Sequence, residues 1–221
     1  MGALINSNKK LLFIHNKKCG GTSIRNVLKK NGFKAYNANV TYNKSIKKQW
    51  IDSEIGLLDF LEINGLDTSE YFIFTNIRDP YDRFASFFQS YRSGDEKIEK
   101  FINRFLNCRK KDSNSIEGRP ALSYHGDPYT PNLKCDFVIR LDNINEDWDK
   151  LKELTGIVGK MPHLHKKAYN KKTKNNKHLI EFVNEFYQQD VDNYNKLYEQ
   201  FYNNWNAKKW DKIPCTCNGS F

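Results

Sequence analysis

The sequence predicts a single α/β domain with a central, mostly parallel sheet flanked by helices, and three observations predict it. Short apolar runs at 11–14, 71–77 and 137–141 have the aromatic and β-branched content of buried strands. Each run is followed by apolar residues at helical spacing. The 221 residues contain no internal repeat and no composition shift that would mark a linker, so 1–221 reads as one unit.

The elements follow in order. Leu11-Leu12-Phe13-Ile14 is continuous and apolar, as a strand covered on both faces requires, and only a short extension precedes it. A polar turn from Asn16 to Gly21 leads to Thr22-Ser23, which opens a helix carrying Ile24, Val27 and Leu28 and stopping near Gly32. Residues 34–70 are harder to read: 36–48 has no clean period, while Ile55, Leu57, Leu58 and Leu61 fit one helix face. Tyr71 to Ile77 is the clearest strand. Asp79-Pro80 then supplies an N-cap and a first-position proline for a helix with Tyr81, Phe84, Phe88 and Tyr91 on its apolar face. A further helix is expected over Ile98 to Leu106, then a polar surface loop to about 134. Phe137 to Leu141 is the third strand, and Trp148, Leu151 and Leu154 mark a short helix stopped by Gly156. The basic stretch 166–177 reads as a mobile, solvated loop, with closure over a ligand or attraction of an acidic one as its functional alternative, and 178–205 as a long amphipathic helix broken once.

Composition narrows the function classes. Hydrophobic residues at 38% with 14% aromatics exclude wholesale disorder and collagen-like structure. Lys and Arg number 36 against 26 Asp and Glu, a net charge of +10 that favours anionic partners. Because Lys and Asn are spread from end to end, charge alone selects no partner. Five cysteines without a C-x-x-C pair exclude a disulfide scaffold and a zinc site, and suit a reducing compartment. His163 and His165 have no further ligands near them in sequence, so no metal is expected. No run reaches 18 apolar residues and the N-terminus lacks a signal-peptide core, so a soluble, cytoplasmic protein without a transmembrane segment is expected.

Two segments carry chemistry. Lys17-Lys18-Cys19-Gly20-Gly21-Thr22-Ser23 lies between a strand and a helix. Glycines let the backbone close on an anion, the helix N-terminus presents amides and dipole to it, and lysine and hydroxyls add charge and donors. The lysine precedes the glycines, so this is not the G-x-x-x-x-G-K loop of magnesium-dependent ATP chemistry. Arg78 leaves the carboxyl end of the second strand, where parallel sheets bind ligands. Ser86 follows two helical turns later, so an arginine fork and a hydroxyl stand together to grip a phosphate.

Taken together these segments resemble the sulfotransferase family. Phe13 to Ile24, F-I-H-N-K-K-C-G-G-T-S-I, is similar to its 5′-phosphosulfate loop, and Arg78 to Ser86, R-D-P-Y-D-R-F-A-S, to its 3′-phosphate motif. Looser likeness to the Golgi-type carbohydrate branch runs through His125 to Pro128, Val138 to Leu151 and Phe186 to Tyr194. In one respect the loop departs: the proline usual before the lysine is Lys17 here. The resemblance implies a P-loop-kinase-like sulfotransferase fold and 3′-phosphoadenosine 5′-phosphosulfate as donor. It also implies transfer to a hydroxyl or amine, expected to be a carbohydrate's. On that likeness Lys17, Lys18, Cys19, Gly20, Gly21, Thr22, Ser23, Arg78 and Ser86 bind the donor, with Lys18 meeting charge that grows in the reaction. An acceptor also needs a base; His125, then Glu54, then His15 are the candidates in that order. The alternatives are a P-loop-like kinase, disfavoured by the lysine's place, and a basic nucleic-acid-binding module, which lacks a stacking motif, so no nucleic-acid partner is expected.

Overall fold

The computed structural model describes residues 2–16, 18–35, 65–112, 135–161, 171–188, 190–192 and 194–196. Five strands, β1 (Gly2–Asn6), β2 (Leu11–His15), β3 (Lys34–Ala35), β4 (Phe72–Ile77) and β5 (Phe137–Arg140), form one sheet in the order β3-β1-β2-β4-β5. β2, β4 and β5 pair in parallel, while β1 runs antiparallel between β2 and β3. All strands except β1 therefore share one direction, the mostly parallel sheet expected. The helices are α1 (Gly21–Lys30), α2 (Pro80–Tyr91), α3 (Ile98–Asp112), α4 (Ile144–Thr155), α5 (Lys171–Lys174) and α6 (Lys177–Phe186).

Strand alternation distributes the core. Leu11, Phe13, Phe74, Phe137 and Ile139 meet Ile24, Val27 and Leu28 of α1 and Trp148 and Leu151 of α4 on one face of the sheet. Leu12, Ile14 and Ile73 cluster together on the other. A separate aromatic cluster joins Phe84, Phe87 and Phe88 of α2 to Phe101 and Phe105 of α3 and Phe182 of α6. Phe84 and Phe182 lie 5.0 Å apart and Phe87 and Phe101 5.2 Å, both tilted or edge-on. Each such pair adds about 1 kcal/mol beyond its buried area, so α2 is rigidly seated. A buried ion pair, Arg83 to Asp190 at 3.4 Å, ties the same helix to the residues that follow α6.

Two expectations need correction. The first ten residues are not a mere extension: Gly2–Asn6 pairs along the whole of β2, returning through a turn with Lys10 at φ +50. Ala3, Leu4 and Ile5 were too short a run to signal a strand without their partner. Also, within the stretch expected to be a mobile loop, residues 171–174 are helical. Gln89 of α2 donates to the Thr173 hydroxyl at 3.3 Å, and the Lys174 ammonium lies 3.5 and 3.3 Å from the Asp79 and Asp82 carboxylates. Residues 171–174 are docked by the start of α2 through Thr173 and Lys174. The helix expected from about 178 and broken once starts at Lys177, capped by Asn176, and is interrupted at Tyr187 before residues 188, 190–192 and 194–196 continue helically; 197–205 lie outside the described residues. No helix among the described residues is long and apolar enough to cross a membrane. The expected helix face at 55–61, the loop 113–134 and His163 and His165 lie outside the described residues.

Candidate active site

Register brings three strand ends to one edge. Ile14 pairs with Thr75 and Ile77 with Arg140, so β2, β4 and β5 end side by side. The chain leaves β2 through Asn16 and the turn 18–20 and enters α1 at Gly21. Gly20 has φ +76, in the left-handed region that costs a side-chain-bearing residue energy. A Cβ there would also stand 2.6 Å from the Leu141 side chain, which follows β5. At Gly21 a Cβ would fall 1.9 and 2.0 Å from Cδ2 and Nε2 of His15. A side chain at either glycine would have to displace its neighbour. α1 begins with no side-chain cap and no acid in its first turn, leaving the positive end of its dipole uncompensated from within the helix.

The turn is held from below by β4. Asn76, fully buried, accepts the Asn16 N–H through Oδ1 at 2.9 Å. Its Nδ2 donates to the Asn16 carbonyl at 3.1 Å and to the Cys19 carbonyl at 2.7 Å. The Asn16 side chain in turn donates to the Thr75 hydroxyl at 3.1 Å, and that hydroxyl donates to the Ile14 carbonyl at 2.8 Å. From the same strand end, Arg78 Nη1 donates to the Lys18 carbonyl at 3.2 Å.

Lys18 itself has φ +64 and sends its ammonium across to α2, donating to Ser90 Oγ at 2.6 Å and lying 5.8 Å from the centre of the Tyr91 ring. Ser90 Oγ donates back to the Ser86 carbonyl at 2.9 Å. Burial pushes the Tyr91 phenol above its ordinary range, so it stays neutral beside the ammonium. Asp79 caps α2 by accepting the Asp82 N–H at 2.9 Å, with Pro80 at the first position as the sequence indicated. On the far side, Asp147 of α4 accepts from both Nε and Nη2 of Arg140 and from its backbone N–H at 2.7 Å. This fork fixes the end of β5, and with it the wall that Leu141 makes against Gly20.

Of the residues singled out from sequence, Lys18, Cys19, Gly20, Gly21, Thr22, Ser23 and Arg78 gather at this edge. Cys19 is fully buried and contributes its carbonyl to the Asn76 clasp. Ser23 is buried and Thr22 exposed on the first turn of α1. Ser86 is half-buried one helical turn before the serine that receives Lys18. Lys17, Glu54 and His125 lie outside the described residues. Sequence reasoning missed Asn16, Thr75, Asn76, Ser90 and Leu141. One signal was present: Thr75-Asn76 places two polar side chains in an otherwise apolar strand, and buried polar groups need partners. Among the described residues no three His, Cys, Asp or Glu side chains converge as metal ligands would.

Comparison with known proteins gives one family: the model of the sulfotransferase family matches residues 1–205. Neither the curated proteins nor the solved structures gave a match to the chain.

Proposed function

The chain belongs to the sulfotransferase family, and on that premise we propose that it moves the sulfuryl group of 3′-phosphoadenosine 5′-phosphosulfate to a hydroxyl, or an amine, of a carbohydrate acceptor. The observation that carries this reading is the hydrogen bond from Arg78 to the Lys18 carbonyl, 3.2 Å long. It makes the lysine-bearing turn and the arginine that follows β4 neighbours, as a nucleotide with two separated anionic groups requires.

The residues present suit such a donor. Two glycines whose Cβ positions are taken by Leu141 and His15 leave backbone amides as the surface of the turn. The uncapped start of α1 favours negative charge. When bound, the donor supplies an activated sulfuryl group attached to its 5′-phosphate. The Lys18 ammonium and the amides and hydroxyls of Thr22 and Ser23 stabilise negative charge at that phosphate. Arg78 and Ser86 hold the 3′-phosphate, which separates this donor from ATP. Lys174 offsets part of the negative charge of Asp79 and Asp82 beside them. The acceptor proton goes to a base, with His125 and Glu54 ahead of His15 as candidates.

Melting with ligands tests the donor. Adenosine 3′,5′-bisphosphate at 100 times its Kd stabilises the fold by about 2.7 kcal/mol, whereas ATP with magnesium at equal concentration leaves the midpoint nearly unchanged. Equal stabilisation by both would remove the 3′-phosphate from the reading. Transfer of labelled sulfate to a panel of sugars, phenols and amines then identifies the acceptor class; labelling confined to phenols would refute the carbohydrate.

A further inference from the structure

The turn that carries Lys18 has lost the element that stiffens it in the sequences it resembles, since Lys17 stands where they have proline. Beneath it lies a side chain that neither the motifs nor the family match assigns. The Asn76 carboxamide spans the turn, bonded to both the N–H and the carbonyl of Asn16 where the chain enters, and to the Cys19 carbonyl where it leaves. No other side chain of this size offers an acceptor and two donors in one plane; Asp has no donor and Thr a single one. With 0% of its surface exposed, Asn76 touches no ligand.

We infer that Asn76 is the positioning residue of the donor site: its carboxamide staples Asn16 to Cys19 and so sets the path of the turn before any ligand arrives. The clasp takes over the ordering that a proline would give, from a neighbouring strand instead of from within the loop. It acts first on the 5′ side of the site, because its three bonds all go to the turn, and it reaches Arg78 only through that side chain's single bond to the Lys18 carbonyl. This rests on the donor reading above.

The test compares adenosine 5′-monophosphate with adenosine 3′-monophosphate, titrated calorimetrically against the full chain and against Asn76→Ala and Asn76→Asp, with adenosine 3′,5′-bisphosphate as reference. Asn76→Asp keeps the acceptor for Asn16 and loses both donors. Both variants should weaken the 5′-monophosphate by about tenfold or more, the loss of one or two hydrogen bonds between the turn and the anion, and leave the 3′-monophosphate within about twofold. Equal weakening of both ligands, or of neither, overturns the inference. Should the variants fail to fold, amide exchange of the unliganded native chain decides. The Asn16 N–H should be as protected as the β4 amides, and exchange at the rate of an exposed turn overturns a preformed clasp. If the native chain binds none of the three nucleotides, the donor reading falls instead, a result distinct from either pattern above.

Discussion

Replacing Gly21 with Ala puts one carbon into space held by the His15 imidazole. The ideal Cβ lies 1.9 Å from Cδ2 and 2.0 Å from Nε2, so roughly 1.5 Å of movement is needed to reach ordinary contact. His15 is half-buried and stacks near the fully buried Phe13 with centroids 6.2 Å apart, so on that side its ring can move only against packed core. Either the ring leaves its rotamer or the first turn of α1 lifts. Overpacking of this kind costs about 1–3 kcal/mol. For a chain of this length that lowers the melting midpoint by roughly 2–4 °C per kcal/mol. If the helix start moves, anion binding at its amides falls by about tenfold for each hydrogen bond to the anion that is lost. A double-mutant cycle with His15→Ala isolates the cause. Melting and adenosine 3′,5′-bisphosphate titration of the four proteins should show the double variant better than the sum of the singles by about 1 kcal/mol or more. Additive losses, or a Gly21→Ala protein as stable and as tight as the parent, would refute the packing argument.

Other expectations follow from the same geometry. Lys18→Ala should lower sulfate transfer by two orders of magnitude or more while leaving the melting midpoint within about 2 °C, because the side chain supplies charge and its exposed bond to Ser90 contributes little; normal turnover would remove its role. Arg104 donates to both Glu96 oxygens, at 2.9 and 2.7 Å, and holds that carboxyl below the ordinary range. A carboxyl lowered in the fold stabilises above its unfolded pKa and loses that contribution as pH falls through the folded value. Glu96→Gln should therefore cost about 1 kcal/mol at pH 7 and flatten the acid limb of a stability–pH curve; an unchanged limb would contradict the pair's role. Lys174→Ala leaves Asp79 and Asp82 without their cation, and should weaken the 3′-monophosphate several-fold in low salt and little at 0.5 M salt, where exposed charges are screened. A salt-independent loss would point to packing instead.

What could be read without coordinates was local. The apolar runs 11–14, 71–77 and 137–141 fixed three strands, since only a strand buried on both faces tolerates such continuity. Asp79-Pro80 and Gly156 marked helix ends through dihedral and capping preferences that act within a few residues. The two candidate donor-site segments were legible for the same reason, because turn, lysine and helix start are contiguous in sequence. β1 was not legible, being too short to declare itself without β2 beside it.

Tertiary structure decided whatever depends on residues far apart in the chain. That Arg78 reaches the carbonyl of Lys18, sixty positions earlier, follows from β2 and β4 pairing in register. The exclusion of a side chain at Gly20 comes from Leu141, and the docking of 171–174 from carboxylates on α2. Asn76 belongs here as well: in sequence it is a polar interruption of a strand, and only the fold supplies the three backbone partners that make burying it favourable. Composition and spacing encode what each segment prefers alone, whereas the contacts between segments come into being only when the sheet assembles.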